Sequence, residues 1–181
     1  MNMHLWLVVA LVVTGIGAVI DWRTGHIPNW LTVGALFLAP LGHAVFGFKA
    51  FGFRGAGLAF GYSVLGALCC VVIPLLLYIK GATGGGDLKL FCAVGAMCRS
   101  YLGLESLLVA FVVAAALIPI RMAMQGKLRK TLQNTVKIVA NPLKSDNERQ
   151  QVPEAEMTWV RFGPAIFAGV AITALLEWSE L

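Results

Sequence analysis

The sequence predicts an all-α, polytopic membrane protein of about six transmembrane helices, with a basic amphipathic cytoplasmic helix before the last span, as one domain over residues 1–181. Three observations carry that expectation. Of 181 residues, 59% are apolar and only 13% charged, against roughly 45–50% apolar in a soluble domain. Mean hydropathy is +0.81. Uncharged runs recur at lengths near the about 20 residues that a helix needs to cross a bilayer. Such a chain has no room for a large extramembrane catalytic domain, so any chemistry sits among the helices.

The first run, residues 3–20, stops at Asp21-Trp22-Arg23. No Lys or Arg precedes it and no small-residue cleavage site follows, so it reads as a retained helix rather than a signal peptide. The second, residues 30–48, follows Ile27-Pro28-Asn29, where Pro suits a helix start and Asn a cap. The third covers residues 56–79 without a charge. After Lys80 and a glycine-rich stretch, residues 88–98 are too short to cross alone and need help as far as Leu104, with Arg99 snorkelling. The fifth covers about 102–120, with the break expected near Tyr101 to Leu104. The sixth covers 162–176.

Fourteen Lys and Arg against nine Asp and Glu give a net charge of +5. In a membrane protein that charge is read by which loops hold it, so nucleic acid is not an expected partner. If loops alternate sides, eleven cations (Arg23, Lys80, Lys89 and eight in residues 121–161) fall on one face, and Lys49, Arg54 and Arg99 on the other. The positive-inside rule makes the first face cytoplasmic. Trp22, Trp30, Trp159 and Trp178 then fall near interfaces as aromatic anchors. In the polar loop 121–161, Leu128, Leu132, Val136 and Val139 share a helical face. A basic helix there would lie on anionic lipid headgroups; a solvated linker is the alternative.

Carboxylates beside apolar helices are costly, and outside the polar loop and tail only Asp21, Asp87 and Glu105 occur. Asp21 ends the first run and Asp87 opens the fourth, at one membrane face, so they can meet although 65 residues lie between them. Taken singly, Asp21 fits an interfacial loop and Asp87 a helix N-cap. The cap reading leaves four glycines in Gly81 to Gly86 unexplained; they suit a chain that lets an extended peptide pass close by. The stretch lacks P-loop spacing and its Gly-Lys-Ser/Thr ending, which argues against phosphate. Two carboxylates facing one water suit general acid/base attack on a peptide bond. Lys89 would point toward lipid phosphate or the other aspartate. A lone His26 makes a poor metal site, and His4 and His43 read as interfacial or packing residues.

The stretch from Asp21 to Ile27-Pro28-Asn29 resembles the first aspartate motif of the type IV prepilin peptidases, and Gly84-Gly85-Gly86-Asp87-Leu88-Lys89 resembles their second, the GxGD motif with its lysine. Length, span pattern and basic helix are similar to the short CpaA/TadV type serving Flp (Tad) pili. The resemblance implies an aspartic endopeptidase of the bacterial inner membrane, active site facing the cytoplasm. It would remove the basic leader of prepilins and pseudopilins, with Asp21 and Asp87 catalytic, Gly84, Gly86, Lys89, Pro28 and Asn29 supporting, and no metal or organic cofactor. Long members add a Cys-x-x-Cys zinc site and N-methylate the new terminus. Here Cys69 and Cys70 are adjacent and Cys92 and Cys98 lie in the fourth run, which argues against methyl transfer. From other classes, an ion-coupled carrier or a non-catalytic assembly factor is the alternative; the carrier is disfavoured because both carboxylates lie at one face rather than the midplane.

Overall fold

The computed structural model describes residues 3–81, 83–124 and 162–179. These form four helices and, among the described residues, no strand: α1 (Met3–Thr24), α2 (Asn29–Ile79), α3 (Gly85–Met124) and α4 (Gly163–Ser179). Three are long and apolar enough to cross a membrane, over His4–Thr24, Asn29–Ile79 and Gly85–Leu117, while α4 is apolar but shorter. The fold is thus all-α and of membrane type. The basic helix expected within residues 127–139 lies outside the described residues. Contacts gather residues 1–114 and 161–181 into one compact unit and 115–160 into another. Everything described below belongs to the first.

Three helices of bilayer length and the shorter α4 stand where the sequence predicts six runs, because runs two and three join as α2 and runs four and five as α3. Each joined helix is broken once. In α2 the break falls at Phe51 and Gly52, and the φ of 62° and ψ of −151° at Gly52 lie in a region that strongly favours glycine. The two limbs then fold back: a Cβ placed on Gly47 would meet the carbonyl of Gly55, and the Phe48 and Phe53 rings pack edge to face at 5.0 Å. In α3 the Phe91 and Phe111 rings stack at 5.5 Å, although twenty residues of straight helix would set them about 30 Å apart.

The α3 break sits at Arg99, short of the expected Tyr101 to Leu104. Its φ of 62° and ψ of −173° cost a non-glycine residue about 1–3 kcal/mol. The cost is offset by contacts, among them the Arg99 guanidinium lying 5.7 Å from the Tyr62 ring centre. A helix that stops inside an apolar bundle also leaves its last carbonyls without partners. Two side chains of α2 take them up. Ser63 Oγ donates to the Ala96 carbonyl at 2.6 Å and His43 Nε2 to the Met97 carbonyl at 2.9 Å. His43 is buried and stacks on Trp6 of α1 at 4.2 Å, so it is a capping donor rather than an interfacial residue. His4 stacks on Trp178, their ring centres 6.0 Å apart.

The core centres on the first limb of α3, where Leu90, Phe91, Val94 and Met97 are fully buried. Lipid is as apolar as these side chains, so close packing rather than flight from water holds them. Small residues allow that closeness. Gly66 of α2 and Gly95 of α3 touch backbone to backbone, and Cys70 Sγ fills the space beside Gly95 and Gly103. All four cysteines are free thiols, with Cys70 and Cys98 buried.

Candidate active site

Local chemistry puts each aspartate at the end of a helix. α1 runs four residues past the expected end at Ile20, so Asp21 lies in its last turn rather than in a loop. Gly25, at φ 71°, closes the helix by returning its N–H to the Asp21 carbonyl at 2.8 Å. Thr24 Oγ1 donates to the Ile20 carbonyl at 2.8 Å and accepts the His26 N–H at 3.3 Å. The chain then turns through buried Ile27 into α2. Pro28, not Asn29, is the N-cap residue, with no side-chain cap bond, and Asn29 is the first helical residue.

Asp87 sits at the third position of α3 rather than at its cap, because the helix begins at Gly85. Its Oδ2 accepts the Gly84 N–H at 3.4 Å, reaching back over the first turn as the acidic partner of a capping box does. A Cβ on Gly84 would lie 3.4 Å from that oxygen.

The two motifs pack on each other. A Cβ on Gly86 would come within 3.2 Å of the Ile27 side chain. Lys89 Nζ donates to Asn29 Oδ1 at 2.8 Å, so the lysine ties the α2 start to α3 instead of reaching lipid phosphate or Asp21. Asp21 and Asp87 are 4% and 7% exposed. They are close enough for the charge on Asp21 to bear on Asp87. Thr83, 5% exposed, lies just before the glycines, and its Oγ1 has no partner. Glu105, the third carboxylate, is half-buried on the second limb of α3.

One contact of Asp21 escaped the sequence reading. The Gly163 N–H, at the start of α4, donates to Asp21 Oδ2 at 3.2 Å in a buried bond. The only signal for it was a Gly-Pro pair opening an apolar run. At the same seam an open groove of about 540 Å³ is walled by Ala18, Trp22, Arg23, Pro164 and Phe167, so Asp21 is buried one residue from an opening. Among the described residues, no group of three or more His, Cys, Asp or Glu is arranged to hold a metal.

An all-helical membrane-type bundle with two buried carboxylates brought together from separate helix ends defines a class: a polytopic protein with an aspartate pair. Residues 7–120 match the family model of the type IV leader peptidase family, and the chain belongs to that family. It is by family a peptidase, and both aspartates and both helix breaks lie within the matched stretch. No curated protein and no solved structure matches it.

Proposed function

We propose that this peptidase removes the N-terminal leader of type IV prepilins and pilin-like proteins at the cytoplasmic face of a bacterial inner membrane, with Asp21 and Asp87 as its catalytic pair. The observation that carries this reading is that the two motif segments, each with a buried carboxylate, pack on each other, Gly86 against Ile27 and Lys89 bonded to Asn29. Like charges held this close do not both ionise, so the pair keeps one proton between them. The ionised aspartate takes a proton from water as the water oxygen attacks the scissile carbonyl. The protonated one hydrogen-bonds the carbonyl oxygen, then delivers its proton to the departing nitrogen as the C–N bond breaks. A free carboxylate on the leader and a new amino terminus on the pilin result.

On this reading the chain crosses the bilayer six times, as α1, the two limbs of α2, the two limbs of α3, and α4. The fold-back at each break supports that count. The first limb of α3, about 20 Å long at 1.5 Å per residue, implies a bilayer thinned near the site. The excess of cations on the loops beside Asp21 and Asp87 supports the cytoplasmic assignment.

The test is to co-express the wild-type chain, Asp21→Asn and Asp87→Asn with a candidate prepilin and resolve precursor from product by mass. Wild type cleaves and neither variant does, at equal membrane levels. Cleavage by both variants would sink the pair.

A further inference from the structure

Asp21 is held from outside both motifs, by a helix that lies beyond the family-matched residues. We propose that Gly163 is a positioning residue for the reaction: its N–H and its lack of a side chain together fix the Asp21 carboxylate where it can act on water. This rests on the reading of Asp21 as a member of the catalytic pair.

Three features of the α4 start carry the inference. The hydrogen bond joins residues 142 apart in sequence and is buried, so its strength is not diluted by water. The place where a Cβ would stand on Gly163 is only 2.8 Å from Asp21 Oδ2, 2.9 Å from its Cβ and 3.1 Å from its Cγ. No side chain fits without moving the carboxylate or the helix. Finally, the donors of this first turn are few. Pro164 has no N–H, and the Ile166 N–H is returned to the Phe162 carbonyl at 3.0 Å. Gly163 therefore supplies the donor, with the positive end of the helix dipole behind it.

The helix itself has little freedom to yield. Further along, a Cβ on Gly169 would lie 2.5 Å from the Ser106 carbonyl oxygen and 2.7 Å from Ala110 Cβ, and Phe167 packs beside Gly15 of α1. With α4 fixed at these points, a methyl group at 163 displaces the Asp21 carboxylate. Misplacing a catalytic group by about 1 Å costs on the order of 100-fold in rate.

Gly103 provides the control: a Cβ there would lie 2.9 Å from Cys70 Sγ and 3.0 Å from Gly95 Cα, about as close as at Gly163, but on α3 beyond the Arg99 break and not on α4. The experiment compares purified wild type, Gly163→Ala, Gly103→Ala and Asp21→Asn on a prepilin substrate, measuring kcat, KM and thermal unfolding. Gly163→Ala is expected to lower kcat about 100-fold with KM within about twofold, while Gly103→Ala lowers the unfolding temperature and leaves kcat per folded molecule within about twofold. A second variant covers the case in which Gly163→Ala fails to fold. An ester in place of the Phe162–Gly163 peptide bond removes the N–H without adding a side chain, weakening the Phe162 carbonyl as an acceptor for Ile166 as well, and is expected to lower kcat about tenfold, or about 1.4 kcal/mol of barrier. Wild-type kcat in Gly163→Ala or in the ester, or losses that merely follow the folded fraction as in Gly103→Ala, would overturn the positioning role. If Asp21→Asn still cleaves, the catalytic pair fails; if it is inactive while Gly163→Ala is normal, only the positioning role fails.

Discussion

The two ends of the first limb of α3 handle polarity in opposite ways. At the Arg99 end, the carbonyls of Ala96 and Met97 meet the Ser63 hydroxyl and the His43 ring, donor against acceptor. At the Asp87 end, about 18 Å away along the helix, a second carboxylate is brought up to the first. Stability favours the former arrangement and opposes the latter. On the function proposed above, the two carboxylates are kept for chemistry, and each accepts one backbone N–H, Asp87 from Gly84 and Asp21 from Gly163.

The sharpest way to break this contrast is to neutralise each end. Asp21→Asn and Asp87→Asn are each expected to lower kcat by about 10³-fold or more, with unfolding temperatures equal to or above wild type because a like-charge contact is removed. A fall in stability instead would mean that the carboxylates brace the fold. At the other end the signs reverse. His43→Ala strands the Met97 carbonyl and removes the stack on Trp6, so it should cost about 2 kcal/mol of stability with kcat per folded molecule unchanged, as read by detergent-titrated unfolding and cleavage assays on one preparation. Ser63→Ala should behave alike but more mildly, at about 1 kcal/mol. The smallest effect is expected where the motifs are laced together at an exposed position. A double-mutant cycle over Lys89→Ala and Asn29→Ala should return a coupling of about 0.5 kcal/mol; no coupling would mean that the bond at 2.8 Å does not bind the two segments.

The contrast also marks what could be read in advance. Asp21 and Asp87 were legible because carboxylates are scarce beside apolar runs, and the α2 reversal because Lys49 to Arg54 interrupts one. The α3 break was placed a few residues late. Its position depends on Arg99 adopting a backbone that its own side chain disfavours, and tertiary contacts alone decide that. Asn29 and Lys89 were singled out but given other partners, since helical spacing fixes a direction and not the atom met there. Gly163 was invisible for a plainer reason. A missing side chain has meaning only against the group that would collide with it, and that group lies 142 residues away.

The buried bond between α1 and α4 bears on the order in which the protein is made. Asp21, Asp87 and the Lys89 tie all leave the ribosome before α4 does, so a nascent chain stopped short of Gly163 already carries both acids. It lacks the donor that orients one of them. Competence to cut would then arrive with the docking of α4, after the rest of the bundle has entered the lipid, and a partly inserted chain would be a protease in composition without yet being one in action.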